Sequence, residues 1–134
     1  MSTTVPRIAL LVHGTKAMAE EVAREVMAGA AARGIEAVRL DRDATHAPPE
    51  TDLVVGIGGD GTLLEAAALA MEDDLPVVGV NLGAVGYLAD IEPGMVGPML
   101  DGLLARSLEV KHRMTVKAML PDGRTWLGLN DLVA

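Results

Sequence analysis

The chain has 134 residues, a length that fits one domain with at most a small appendage. Half of its residues are hydrophobic and almost none are aromatic, so a core built from aliphatic side chains and glycine can form. The net charge of −8 argues against a nucleic-acid partner, and the absence of cysteine excludes disulfides and thiolate metal sites. The first apolar run, residues 8–12, is too short for a signal peptide or a membrane span, so we expect a soluble cytoplasmic protein without a membrane partner.

The first hundred residues alternate between short apolar runs and helical patterns. Strands are predicted at residues 8–13, 35–40, 53–57 and 77–80, and helices at residues 15–34, 63–73 and 95–105. Such alternation predicts an α/β fold in which helices flank a Rossmann-like parallel sheet. We assign residues 1–106 to this α/β domain.

A different pattern begins near residue 107. Apolar and polar residues alternate through residues 108–120, Pro121-Asp122-Gly123 is typical of a turn, and residues 125–133 suit a return strand. Residues 107–134 are therefore predicted to be a β-hairpin that opens a second, β-rich domain. Because an isolated hairpin is marginally stable in water, we expect either a longer protein or an obligate homo-oligomer to cover its apolar face.

A glycine-rich turn stands between the third predicted strand and the second predicted helix: Gly58-Gly59-Asp60-Gly61-Thr62. Glycines allow a ligand close to the backbone, and the N-terminus of the following helix suits a phosphate. The simpler interpretation is an ordinary turn with a helix cap. However, Thr62 and Glu65 already form the pattern of a capping box, so Asp60 is not needed for capping. A carboxylate here opposes anion binding unless it takes part in chemistry, which makes Asp60 a candidate functional residue.

Further polar residues follow other predicted strands. His13 ends the first strand and Asn81 the fourth, so both should lie with the glycine turn at the carboxyl edge of the sheet, where such folds bind ligands. The segment after Asn81 contains two glycines and Tyr87, whose ring could stack on a base; the alternative is a surface loop. His13 is equally consistent with a loop histidine, and Lys16 with a turn that precedes the first helix.

Three stretches of this sequence resemble the NAD kinase family. They are the glycine turn, the segment Asn81-Leu82-Gly83-Ala84-Val85-Gly86-Tyr87-Leu88, and Asn130-Asp131. The glycine–aspartate turn alone is also similar to turns of diacylglycerol-type lipid kinases and 6-phosphofructokinases. The order and spacing of all three stretches favour NAD kinase, and the similarity extends over essentially the whole chain.

The resemblance implies transfer of the γ-phosphoryl group of ATP to the 2′-hydroxyl of the adenosine ribose of NAD. By carry-over, Asp60 is the proton acceptor, Asp60 and Gly61 contact NAD, and Asn130 with Asp131 hold its ribose. A divalent metal, with Mg²⁺ expected, and ATP or polyphosphate as donor are also implied. A positioned carboxylate suits this chemistry, since it can orient a hydroxyl and accept its proton. Five further residues are candidate nucleotide contacts: Gly58, Gly59, Thr62, Asn81 and Tyr87.

Some features depart from the family pattern. Glu65 and Ala84 stand where the family often has basic or larger residues, and members of the family are considerably longer than this chain. Two alternatives therefore stay open: a lipid or sugar kinase of the same superfamily, and a nucleotide-binding fragment without catalysis. We also expect the chain by itself to be a weak or inactive kinase.

Overall fold

The computed structural model describes residues 5–12, 17–41, 43–82, 91–108, 115–119, 121–123 and 125–129. The strands of the first hundred residues are β1 (Arg7–Val12), β2 (Glu36–Arg39), β3 (Leu53–Gly58) and β4 (Val77–Asn81). The helices are α1 (Ala17–Ala32), α2 (Asp60–Met71) and α3 (Val96–Ala105), the last preceded by a 3₁₀ turn (Pro93–Met95). In the part of the chain that the structure describes, no helix is long and apolar enough to cross a membrane.

The four strands form one sheet in the order β2-β1-β3-β4, and every neighbouring pair is parallel. The prediction of an α/β fold with a parallel sheet is confirmed. Strand β3, which precedes the glycine turn, is an internal strand of the sheet. From β1 the chain winds outward to β2, whereas from β3 it winds the opposite way to β4. The direction of winding therefore reverses between β1 and β3, which is where sheets of this kind form a ligand crevice at their carboxyl edge.

Both faces of the sheet are covered. On one face, Ile8, Leu10, Val55 and Ile57 pack in a core with buried residues of α1 and α3. On the other face, alternate residues of the same strands pack against α2 and the segment that precedes β3. This two-sided burial explains why the strands read as unbroken apolar runs rather than as alternating patterns.

The packing of α2 on β3 depends on a glycine inside the strand. A Cβ atom built on Gly56 would lie 3.1 Å from the Cβ of Ala66 and 3.5 Å from the carbonyl oxygen of Thr62. The first of these distances is shorter than an ordinary side-chain contact, so a larger residue would push the helix away from the sheet. Gly56 thus fixes how near to the sheet α2 can lie.

The last described elements are β5 (Thr115–Met119) and β6 (Thr125–Leu129), which pair antiparallel. The turn between them includes Gly123, whose φ of +91° favours glycine. Leu108, where the first strand of the hairpin was predicted to begin, lies outside β5 and packs near Gly102 of α3. Cα atoms of β6 approach those of α2 to within 8 Å. The boundary at residues 106 and 107 and the second domain stay predictions.

Candidate functional site

The carboxyl ends of β3 and β4 lie side by side at one edge of the sheet. Gly58 is the register partner of Asn81, and Val12 at the end of β1 is the partner of Ile57. Because neighbouring strands are about 4.8 Å apart, the glycine turn and Asn81 are direct neighbours. The predicted convergence of these two is confirmed. His13 and Lys16 lie outside the described residues.

Helix α2 begins at Asp60, and only Gly59, in an extended conformation, separates it from β3. The Leu63 N–H donates a hydrogen bond to the Gly59 carbonyl at 3.1 Å, which closes the first helical turn. The prediction that Thr62 caps the helix is therefore wrong: the N-cap is Gly59, with no side-chain capping bond, and Thr62 is the third helical residue. The physical reason is the tight packing at Gly56, which brings this part of α2 directly onto β3, so that Thr62 is only 9% exposed.

Asp60 is the first residue of α2 and follows the internal strand β3 at the carboxyl edge. The first turn of any helix presents backbone N–H groups and the positive end of the helix dipole, so an acidic residue is electrostatically favoured there. The same groups attract phosphate. An acid and an anion-binding backbone are thus placed within one helical turn, next to the point where the winding of the sheet reverses.

Two glycines of the turn are not required by the surrounding protein. Apart from the adjoining residues and the backbone of α2 itself, no described atom lies within 4 Å of a Cβ built on Gly59 or on Gly61, in contrast to Gly56. Their backbone conformations also do not demand glycine, since φ is −104° at Gly59 and Gly61 is not among the glycines with positive φ. Among the described residues, none packs into the space beside Gly59 and Gly61.

Asn81 is half-buried, and its backbone is tied to a later part of the chain. Its N–H donates to the Ile91 carbonyl at 2.9 Å, and the Ile91 N–H donates to the Gly79 carbonyl at 3.1 Å. The sequence analysis missed this return of the chain to the edge of β4; an isolated apolar residue before Glu92-Pro93 was the one signal for it. The residues that flank segment 83–90 are therefore held at the carboxyl edge of the sheet.

Several predicted site residues lie outside the described part of the chain. These are Tyr87, Asn130 and Asp131. For them the sequence-based assignment stays a prediction. Among the predicted site residues, the described backbone brings together the glycine turn, the start of α2 and Asn81.

An ion pair near the same edge was not predicted. Arg39, the last residue of β2, donates two hydrogen bonds to the carboxylate of Glu20 in the first turn of α1, at 2.6 and 2.5 Å. These bonds lower the pKa of Glu20 and raise the pKa of Arg39, so both groups are charged at neutral pH. In the sequence, Glu20 is only one of several charged residues on the polar side of a helix.

Among the described residues, Asp60 is the one predicted site residue at this edge that could bind a magnesium ion through a carboxylate. Across the described ranges, no group of three or more His, Asp or Glu side chains is arranged to hold a metal ion. Mg²⁺ commonly keeps several waters and is bound by one or two carboxylates together with substrate phosphates. One acid, Asp60, at the start of a helix that suits phosphate fits that mode of binding.

Comparison of the sequence with protein families identifies residues 31–108 as an ATP-NAD kinase N-terminal domain. The chain is 35% identical over 145 aligned positions to the NAD kinase of Heliobacterium modesticaldum, an alignment that covers 96% of this chain and 51% of that protein. In general the chain spans between about a third and a half of the length of the curated relatives that it matches.

Solved structures share the fold. A yeast NADH kinase complexed with NADH superposes with a TM-score of 0.72 at 14% identity, over 93% of this chain and 46% of that one. An NAD kinase from Archaeoglobus fulgidus in complex with ATP has a TM-score of 0.59 at 18% identity, over 90% of this chain and 45% of that one. At this level of identity the likeness concerns the fold alone. Together with the match over residues 31–108 and the curated relative, it leads to one conclusion: the chain belongs to the NAD kinase family.

Proposed function

We propose that the chain forms the nucleotide-binding part of an NAD kinase, which transfers the γ-phosphoryl group of ATP to the 2′-hydroxyl of the adenosine ribose of NAD. The observation that carries the proposal is the position of Asp60. It is the first residue of α2, after the internal strand β3, in a stretch that matches the family's N-terminal domain. The N-cap of this helix is Gly59, so Asp60 is not the capping residue. A carboxylate at this position can act on a substrate bound at the carboxyl edge of the sheet.

Asp60 would orient the 2′-hydroxyl and accept its proton. As the new bond from the ribose oxygen to the γ-phosphorus forms, the bond from that phosphorus to the leaving oxygen of ADP breaks, and the products are NADP and ADP. Mg²⁺, when bound, neutralises charge on the phosphates. A carboxylate that accepts a proton in such a step contributes about two to four orders of magnitude to the rate.

The remaining residues would bind and position the nucleotides. Gly61 offers an open surface that lets NAD approach the backbone, and Asn130 with Asp131 would hold its ribose. Gly58 and Gly59 would contact phosphate through their backbone N–H groups, while Asn81 and Tyr87 would contact the base or sugar. Such fixed donors stabilise a phosphoryl transition state because they need little reorganisation during the reaction.

A second candidate is a nucleotide-binding unit that has no turnover by itself. One observation favours it: the chain covers 51% of one curated relative and 34% of another. If residues 107–134 open a second domain that completes the NAD site, residues 1–106 would bind nucleotide without catalysing transfer. The two candidates share the same nucleotide site and differ only in whether NADP is formed.

Separate titrations with ATP and NAD, followed by an assay for NADP, test both candidates. The first predicts saturable binding and formation of NADP that stops when Mg²⁺ is chelated; the second predicts binding without NADP. Diacylglycerol is the comparison substrate, because lipid kinases share the glycine–aspartate turn. Phosphorylation of diacylglycerol in preference to NAD, or no binding of either nucleotide, would contradict the proposal.

A further inference from the structure

The Glu20–Arg39 pair is placed to affect a nucleotide at the carboxyl edge of the sheet. Arg39 is the register partner of Leu10 in β1, which is in turn the partner of Val55 in β3. For a flat sheet, two strand spacings of about 4.8 Å and three residues at about 3.3 Å each correspond to roughly 14 Å between the Cα atoms of Gly58 and Arg39. That separation is beyond contact, but it is within the range of electrostatic interaction at low ionic strength.

The two charges of the pair have opposite effects on a bound phosphate: Glu20 repels it and Arg39 attracts it. Glu20 lies in the first turn of α1, the helix that follows β1, where its carboxylate would repel a nucleotide at the adjoining crevice. The guanidinium of Arg39 donates a hydrogen bond to each oxygen of that carboxylate and compensates its negative charge. Arg24, one helical turn further along, also lowers the pKa of Glu20 but makes a smaller contribution.

We propose that Arg39 neutralises Glu20 so that the carboxyl edge of the sheet accepts a polyanionic nucleotide. The proposal rests on the function proposed above and adds a residue pair that sets the affinity of that site. The pair is a poor candidate for a purely structural role, because the two side chains are 44% and 36% exposed. Ion pairs with that exposure contribute little to the stability of the fold.

The two halves of the pair should act in opposite directions. Arg39→Met leaves an uncompensated carboxylate and should weaken ATP binding roughly three- to tenfold at 0.01 M ionic strength, whereas Glu20→Gln leaves an uncompensated guanidinium and should strengthen it. Both effects should shrink at 0.3 M, and both should be smaller for NAD, which carries less charge than ATP. Arg39→Lys keeps the positive charge but not the bidentate geometry, and it should bind ATP with the affinity of the wild type.

The opposite end of α1 provides a matched control. Arg33 donates to Asp101 at 2.7 Å, and this pair lies about 20 Å further along the helix axis, away from the carboxyl edge. Arg33→Met and Asp101→Asn change the net charge by the same amounts as Arg39→Met and Glu20→Gln. They should leave ATP affinity unchanged, which separates a local effect from the field of the whole molecule.

Isothermal titration of all five variants and the wild type with ATP, with circular dichroism to verify folding, tests the inference. Opposite effects of Arg39→Met and Glu20→Gln that fade with salt are the expected result. Three results would overturn the inference and leave the proposed function intact, provided that the wild type binds ATP. These are an equal loss of ATP affinity in Arg39→Met and Glu20→Gln, a loss of ATP affinity in Arg39→Lys, and unchanged ATP affinity in all variants. Failure of the wild type to bind either ATP or NAD would overturn the proposed function and this inference with it.

Discussion

Gly56 and Gly61, on either side of the turn between β3 and α2, have different surroundings. At Gly56 the neighbouring protein leaves little room for a side chain, since a Cβ would lie 3.1 Å from the Cβ of Ala66. At Gly61, apart from the adjoining residues and the backbone of α2 itself, no described atom lies within 4 Å of the position that a Cβ would take. The first glycine is therefore favoured by packing, whereas the packing of the described residues gives no reason for the second, which a ligand approaching the backbone would supply.

Gly61→Ala should separate stability from binding. Gly61 is in the first turn of α2 with an ordinary φ, so alanine should raise the free energy of unfolding by about 0.4–1 kcal/mol. The same methyl group should weaken the binding of NAD, because it occupies the open surface. Urea unfolding and a nucleotide titration on the same samples give the two quantities.

Gly56→Ala is the control for that substitution. It adds the same methyl group where the Cβ of Ala66 would be 3.1 Å away, so it should lower the free energy of unfolding by about 1–3 kcal/mol. Wild-type affinity for NAD in Gly61→Ala, or loss of stability in that variant, would contradict the assignment of Gly61 to the site.

Asp60→Asn tests the proposed proton acceptor. In any form of the protein that produces NADP, this change should lower kcat by about two or more orders of magnitude, because the amide cannot accept the proton. Stability should change little, since a first-turn acid contributes only about 0.3–1 kcal/mol through the helix dipole. Steady-state kinetics and thermal unfolding are the two measurements.

Asp73→Asn provides the comparison for Asp60→Asn, because it makes the same chemical change just beyond the far end of α2, at an exposed position. It should leave kcat unaltered. An Asp60→Asn variant that is unfolded, or one that keeps nearly full activity, would be incompatible with the proposed role.

At the scale of elements, the sequence predicted the type and order of the helices and strands in the α/β part. This succeeded because the apolar runs and the helical stripes have different periods, and because proline and glycine mark their ends. The start of α2 was misplaced by three residues, since Thr62 and Glu65 imitate a capping box. Local sequence could not reveal that the helix packs on Gly56 and so begins earlier.

The end of α3 allows a test of local stability. Arg106 is the C-cap residue and has a left-handed conformation with φ of +54°, which is costly for a residue with a Cβ. Arg106→Gly should raise the free energy of unfolding by about 0.5–1 kcal/mol, and a shift in the midpoint of thermal unfolding would show it. Arg24→Gly, inside α1, should have the opposite effect, by about 1 kcal/mol. An unchanged or lower free energy of unfolding in Arg106→Gly would contradict the left-handed C-cap of α3.

At the scale of the whole molecule, the order of the strands could not be predicted. Parallel strands of similar composition carry no signal for which neighbour they choose, so the reversal between β1 and β3 emerged only from the structure. The ion pair of Glu20 and Arg39 escaped prediction for a related reason. It joins two residues that are 19 positions apart in the sequence, and only the fold brings them together.

The hairpin leads to a prediction about association. The apolar positions of residues 108–120 would each contribute roughly 1.5–3 kcal/mol if fully buried, so an uncovered face favours pairing with another copy. We therefore expect residues 108–133 either to pack against a second copy of the chain or to be weakly protected from hydrogen exchange. Sedimentation of dilute protein, combined with hydrogen exchange, distinguishes these outcomes from a compact monomer with a strongly protected hairpin, which would contradict the expectation.

Nucleotides are proposed to bind at the carboxyl edge of the sheet, next to the start of α2. Backbone amide NMR during titration with ATP and then NAD tests it directly, since it does not depend on turnover. We expect saturable shifts at Gly59, Gly61 and Asn81, with no change at Arg7 and Asp52, whose hydrogen bond lies at the amino edge. Saturable shifts confined to the amino edge, or no shifts with either nucleotide, would contradict it.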